Sequence, residues 1–146
     1  RHAGRRRQGA GLVAPARSRL STTRKGASSE ATARAFLEGL GLHILAQNQR
    51  FDVGELDLVA EDRRATGGDD AVLVFVEVRS RASDDLGTPA ETVNARKQRR
   101  VARAAQAWLL ANPTYQGRAM RFDVVGITWD TDPPQIEHVV DAFDDQ

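Results

Sequence analysis

An acidic residue inside a strongly apolar strand constrains this chain more than any other feature. The segment VLVFVEVRS at residues 72–80 is apolar at almost every position before Arg79, yet Glu77 interrupts it. Because successive strand residues point to opposite faces, a run that is apolar on both faces is typical of a central strand covered on two sides. The segment therefore predicts an α/β protein in which helices pack on a sheet.

The carboxylate of Glu77 needs a partner if this strand is buried. Burial of an unpaired carboxylate costs several kcal/mol, so the group persists only beside a cation, a cluster of donors or a metal ion. The alternative is that Glu77 faces solvent. That alternative would also expose Leu73 and Phe75, which share its face of the strand.

The rest of the sequence predicts two helices and four further strands. We expect helices over residues 28–39 and 94–111, and strands over 42–50, 55–62, 71–79, 121–129 and 136–143. A polar Gly-Gly-Asp-Asp segment at 67–70 marks a hairpin loop between the second and third strands. The predicted order is αβββαββ, with a mixed rather than fully parallel sheet.

Length and composition limit the class of protein. A chain of 146 residues is long enough for a sizeable core, and we expect one domain over residues 26–146. The sequence has no cysteine, which excludes disulfides and thiolate metal sites. No apolar run approaches the ~20 residues of a membrane helix, so no membrane association is expected, and a cytoplasmic location is compatible with these features.

The first 25 residues differ in charge from the rest of the chain. They contain eight basic residues and no acidic one, whereas the remaining chain has 13 basic and 20 acidic residues. This head is rich in Arg, Gly, Ser and Ala and has no apolar periodicity, so we interpret residues 1–25 as a disordered basic extension. It is either a loose nucleic-acid-binding arm or a plain unstructured extension.

Two further acids lie on the strand before Glu77. Glu55 and Asp57 are two residues apart, and Asp57 stands between two leucines. If the two strands pair as a hairpin, Asp57 and Glu77 can lie on one face with Cβ atoms ~5 Å apart. Carboxylates that close repel unless a divalent cation lies between them, and oxygen ligands suit Mg²⁺ or Mn²⁺ better than Zn²⁺. Arg79, two residues beyond Glu77, adds a positive charge that can stabilise a phosphate.

The second predicted helix is basic in its first half, where the helix dipole disfavours cations. Its basic residues are Arg96, Lys97, Arg99, Arg100 and Arg103. This concentration predicts a counter-ion, and a nucleic-acid backbone would serve. The alternative is a solvated basic face that pairs with nearby acids such as Glu91.

Five segments together resemble a known family. They are GASSEATARAFLEGLGLHILAQNQR, GELDLVA, VFVEVRSR, PAETVNARKQRR and RFDVVGI, in this order over roughly residues 26–143. The chain resembles the YraN-like family of small bacterial proteins, within the PD-(D/E)xK nuclease superfamily. The resemblance implies a restriction-endonuclease-like fold, a Mg²⁺ site and nucleic-acid substrates.

The resemblance also implies roles for individual residues. Asp57 and Glu77 would be the metal ligands, and Glu30 matches the acid of the superfamily on the first helix. Gln98 resembles a polar residue that related nucleases direct at the site, and Glu55 belongs to the pattern of the family itself.

One position departs from the superfamily pattern. Arg79 stands where the superfamily usually has lysine, and arginine cannot accept a proton at any accessible pH. Arg79 can still hold a phosphate, and Lys97 on the second helix is a candidate substitute for the lysine.

We therefore expect a metal-dependent nuclease-like protein that acts on DNA, including branched or single-stranded structures in repair or recombination. A catalytically inactive nucleic-acid-binding module is the main alternative, and a protein-interaction domain is a second one. A homodimer is expected if the substrate is a duplex or a junction.

Overall fold

A five-stranded mixed sheet lies at the centre of the protein, in a computed structural model that describes residues 28–64 and 71–145. Residues 28–39 form the first helix, α1. The later elements are β1 (His43–Phe51), β2 (Gly54–Asp62), β3 (Val72–Arg81), α2 (Ala95–Ala111), β4 (Met120–Thr128) and β5 (Gln135–Phe143). Two short 3₁₀ helices, Pro89–Thr92 and Pro113–Tyr115, flank α2. Each predicted element is confirmed, with ends that differ by one or two residues.

The strands lie side by side in their order along the chain. β1 pairs antiparallel with β2, and β2 with β3. β3 and β4 are parallel, and β5 is antiparallel to β4. The parallel step is made through α2, because a parallel connection needs a crossover element. The mixed sheet and the order αβββαββ are therefore confirmed.

The central strand β3 is buried on both faces, as its apolar run predicts. Leu73 and Phe75 pack on the α2 side with Trp108, whereas Val74 and Val76 pack on the α1 side. These four β3 residues are at most 1% exposed. The two faces of β3 therefore belong to two separate cores, one under each helix.

The start of α2 is fixed by a side-chain cap. The Asn94 side chain accepts a hydrogen bond from the Lys97 backbone N–H at 2.9 Å, which satisfies one of the free donors at a helix start. Lys97 therefore lies in the first turn. Because helical side chains lean toward the N-terminus, Lys97 points back toward the end of β3.

The buried acid of β4, Asp123, is fully paired. Asp123 is 0% exposed and accepts hydrogen bonds from Arg121, His138 and the Asp141 N–H, at 2.8 to 3.1 Å. Burial alone would raise the pKa of Asp123, but these donors lower it below the usual carboxyl value. Asp123 therefore belongs to a structural network of paired side chains.

Two predicted segments lie outside the described residues. They are the basic extension at residues 1–25 and the hairpin loop at 67–70, although the strands that this loop joins do pair antiparallel. Across residues 28–64 and 71–145, no helix is long and apolar enough to cross a membrane.

Candidate active site

Asp57 lies where β2 separates from β3. Paired residues of the two strands run from Asp62↔Val72 to Leu58↔Val76. Beyond that point the Val78 N–H donates a hydrogen bond to Asp57 Oδ2 at 2.8 Å, so a side chain takes the place of a backbone acceptor. Leu56 and Leu58 join opposite cores, so the regular alternation of faces also breaks at Asp57. This local break in the ladder directs a carboxylate toward β3.

Asp57 and Glu77 form a close acid pair. Their carboxyl groups are near enough for each to affect the pKa of the other, and Glu77 is only 5% exposed. Burial, and then the negative charge of Asp57, raise the pKa of Glu77 to about 7. Burial likewise raises the pKa of Asp57. The predicted burial of Glu77 is confirmed, and the pair is unfavourable when both groups are ionised.

Two cations contact the acid pair on the Glu77 side. Lys97 Nζ lies 3.6 Å from Glu77 Oε2, and Arg79 Nη1 lies 3.4 Å from the same oxygen. Both cationic side chains are about one-third exposed, at 33% and 32%. Their charges lower the pKa of Glu77 but do not overcome the effects of burial and of Asp57.

The donor set fits a hard divalent cation. Mg²⁺ is commonly held by one or two carboxylates, with waters and substrate oxygens as its other ligands. Asp57 and Glu77 supply such a pair, and a cation between them would remove the repulsion that raises their pKa. In the described part of the chain, no three His, Asp or Glu side chains converge on one point. A site of two carboxylates suits Mg²⁺ or Mn²⁺ and not a closed structural zinc site.

Glu30 and Glu55 border this pair. The pKa of Glu30 is raised by burial and by the charge of Asp57, and the Asn48 side chain is hydrogen-bonded to its carboxyl group. Glu55 is exposed on β2, and its charge acts on both Asp57 and Glu30. The structure thus places all four predicted acids in one neighbourhood, with Asp57 and Glu77 as its closest pair.

Gln98 lies on α2, and its side chain is hydrogen-bonded to the backbone that precedes the helix. Its Nε2 donates to the Val93 carbonyl at 3.0 Å, and this contact ties the first turn of α2 to the residues before it. The predicted role of Gln98 at the site stays a prediction.

Sequence reasoning missed two residues of this neighbourhood. Asn48 has a positive φ of 51°, unusual for a non-glycine residue in a strand, and its side chain contacts Glu30. Thr92 accepts a hydrogen bond from Arg79. An isolated Asn in a strand and a Thr before a helix are common, so neither position carried a signal in the sequence.

Four of the five predicted basic residues form an exposed stripe along α2. They are Arg96, Arg99, Arg100 and Arg103. None of the four forms an ion pair with a carboxylate in the described ranges. Lys97 differs from them because its side chain is turned into the acid pair. The stripe, hereafter the basic stripe, begins one residue from a group that contacts the site.

The sheet topology and the acid pair at the β2–β3 separation define the class of this protein: it is an α/β protein with a restriction-endonuclease-like fold. A family model described as "Uncharacterised protein family UPF0102" matches residues 29–127. The chain belongs to this family, which is the YraN family expected from the sequence segments.

Relatives of this chain share most of its length. A UPF0102 protein of Anaeromyxobacter dehalogenans is 45% identical over 119 residues, which is 82% of this chain and 83% of the relative. A UPF0102 protein of Halorhodospira halophila is 42% identical over 132 residues, or 90% and 97% of the two chains. One from Geotalea daltonii is 43% identical over 120 residues, or 82% and 88%.

Proposed function

We propose that this protein is a metal-dependent nuclease that hydrolyses phosphodiester bonds in DNA. The observation that carries the proposal is the pair Asp57–Glu77, two neighbouring carboxyl groups at the point where β2 leaves β3, whose pKa values are raised by burial. When both groups are ionised, such a pair costs stability, and a divalent cation between them would offset this cost. Strongly shifted pKa values of this kind concentrate at functional sites.

Each residue of the site has a distinct part in this proposal. Asp57 and Glu77 would hold Mg²⁺ or Mn²⁺, and Glu30 or Glu55 would assist. When bound, the cation would neutralise phosphate charge and lower the pKa of a water. The Val78 N–H fixes one oxygen of Asp57, so this carboxylate is oriented before any ligand arrives.

The basic stripe supplies the contact with substrate. Arg96 and Arg103 are seven residues apart, about 10 Å along the helix axis, a length over which one strand of duplex DNA carries about three phosphates. Because these arginines have no carboxylate partner in the described ranges, they are free to pair with phosphates. The stripe begins at the turn that carries Lys97, so a strand bound along it would reach the acid pair.

Removal of the basic stripe is expected to weaken DNA binding for all sequences equally. In a variant with Arg96, Arg99, Arg100 and Arg103 replaced by glutamine, each lost phosphate contact should reduce the slope of log affinity against log salt by about 0.9 on duplex DNA. Fluorescence anisotropy of labelled duplex DNA between low and moderate salt measures both the affinity and its salt dependence.

A matched control is Arg63→Gln. Arg63 is exposed at the opposite end of the sheet, where it pairs with Glu61 at 2.9 Å, so its loss should leave the slope unchanged. An unaltered slope in the four-residue variant would show that nucleic acid does not bind along α2.

A further inference from the structure

The guanidinium group of Arg79 is held mainly by the connection between β3 and α2. Its Nε donates to Thr92 Oγ1 at 3.1 Å, and its Nη2 donates to the Thr92 carbonyl at 2.9 Å. Only Nη1 faces the acid pair, 3.4 Å from Glu77 Oε2. Arg79 therefore joins two parts of the protein: the acid on β3 and the residue three positions before α2.

The same connection is anchored to the sheet at a second place. Arg81, two residues beyond Arg79 on β3, donates through Nη2 to the carbonyls of Leu86 and Gly87 at 3.1 and 3.0 Å. Between these two anchors, the Thr92 hydroxyl donates to the Pro89 carbonyl at 2.6 Å. The connection is thus held as a fixed unit by two arginines of the central strand.

This unit leads directly into the turn that carries Lys97. Asn94 caps α2 two residues after Thr92 and accepts the Lys97 N–H. The ammonium group of Lys97 contacts Glu77 at 3.6 Å and makes no second hydrogen bond or ion pair within residues 28–64 and 71–145. An ammonium group has three donors. Lys97 therefore retains donors for a ligand, whereas a turn of Arg79 toward a ligand would break its contacts with Thr92.

We propose that Arg79 is a positioning residue that acts through Thr92 to hold Lys97 against Glu77, and that Lys97 is the cation that contacts the phosphate. The inference rests on the proposed function and revises the expectation that Arg79 itself holds the phosphate. Arginine suits the bracing role because its planar fork reaches three acceptors at once, on Glu77 and on the Thr92 side chain and backbone. A lysine at position 79 has one nitrogen and cannot span them.

The contacts of Arg79 with Thr92, hereafter the brace, can be tested by hydrogen exchange of the metal-free protein. This measurement does not require activity. Arg79→Lys and Thr92→Val should each speed exchange of the amides between residues 88 and 97 by roughly tenfold, because local opening becomes easier. Thr92→Ser keeps the hydroxyl and should retain wild-type protection. Arg63→Lys removes a guanidinium group at the remote end of the sheet and should leave the exchange rates of this segment unchanged. Wild-type protection in both Arg79→Lys and Thr92→Val would overturn the brace.

Cleavage kinetics on a DNA substrate distinguish two roles for Arg79: action through Thr92, and direct contact with the phosphate. If Arg79 acts through Thr92, Thr92→Val should lower kcat with little change in KM, and the double variant Arg79→Lys/Thr92→Val should be no slower than Arg79→Lys alone. Lys97→Met should give the largest loss, roughly 100-fold or more in kcat. Independent losses that multiply in the double variant, or full activity in Lys97→Met, would overturn the inference.

Failure of the proposed function gives a different result. If the wild type cleaves no DNA, the role of Lys97 at the phosphate falls with the proposed function, and the exchange measurement alone supports or overturns the brace.

Discussion

Glu77→Gln is expected to abolish divalent-metal binding and, in metal-free protein, to raise stability above neutral pH. Glu77 has a pKa raised from 4.5 to about 7 in the folded state. Between these pH values the folded protein keeps a proton that the unfolded chain has released, so stability falls as pH rises through this window and stays lower above it. The glutamine variant has no proton to lose and escapes this loss, which is on the order of 3 kcal/mol.

Urea denaturation at several pH values from 5 to 8.5, with chelator present, measures the difference in the free energy of unfolding between the variant and the wild type. Calorimetric titration with Mg²⁺ or Mn²⁺ measures metal binding. Added metal should stabilise the wild type and leave the variant unchanged. Glu38→Gln is the matched control, because Glu38 forms an exposed ion pair with Arg34 on α1, remote from the acid pair in sequence. A Glu77→Gln variant that binds metal as well as the wild type would contradict the assignment of Glu77 as a ligand.

Gly126→Ala is expected to destabilise the fold by about 1–3 kcal/mol, the usual cost of extra volume at a close contact. A Cβ at Gly126 on β4 would lie 2.4 Å from Cγ of Pro89 and 3.1 Å from Cδ of Arg81. The proline ring cannot turn away, so the connection before α2 must move off the sheet. The change should therefore also speed hydrogen exchange between residues 88 and 97.

Gly39→Ala provides the matched control for this substitution. Gly39 ends α1 and has no atom within 4 Å of an added Cβ. Alanine there should be neutral or stabilising by up to about 1 kcal/mol, since glycine is unfavourable in a helix. Urea denaturation followed by circular dichroism compares the free energy of unfolding of the wild type, Gly126→Ala and Gly39→Ala. Equal stability of Gly126→Ala and wild type would show that the connection does not need the close approach at β4.

The sequence predicted the fold well because its patterns are local and strong. The apolar run of β3 is typical of a strand buried on both faces, and Leu73 to Val76 are indeed at most 1% exposed. Patterns typical of turns and of an amphipathic helix predicted the ends of the other elements to within one or two residues. The acidic interruption at Glu77 then indicated a site, because so buried a carboxylate needs a partner.

The detailed arrangement of the site could not be predicted, because it depends on contacts between distant segments. Simple alternation along β2 placed Glu55 and Asp57 on one face, but β2 leaves the ladder at Asp57, and Glu55 is exposed. Lys97 is predicted both as part of the basic first half of α2 and as a candidate substitute for the superfamily lysine, but helical spacing alone does not show that the Asn94 cap starts the helix beside β3. The contacts between Arg79 and Thr92 join residues 13 positions apart through an irregular segment.

Incubation of purified protein with end-labelled DNA tests for metal-dependent cleavage. The panel comprises linear duplex, single-stranded and branched DNA, each with Mg²⁺, with Mn²⁺ and with chelator. We predict that the wild type cuts at least one of these substrates only when metal is present, and that Asp57→Asn and Glu77→Gln slow cleavage by roughly 100-fold or more. Wild-type protein that binds these DNAs and cuts none of them with either metal would contradict a nuclease function and favour an inactive nucleic-acid-binding module.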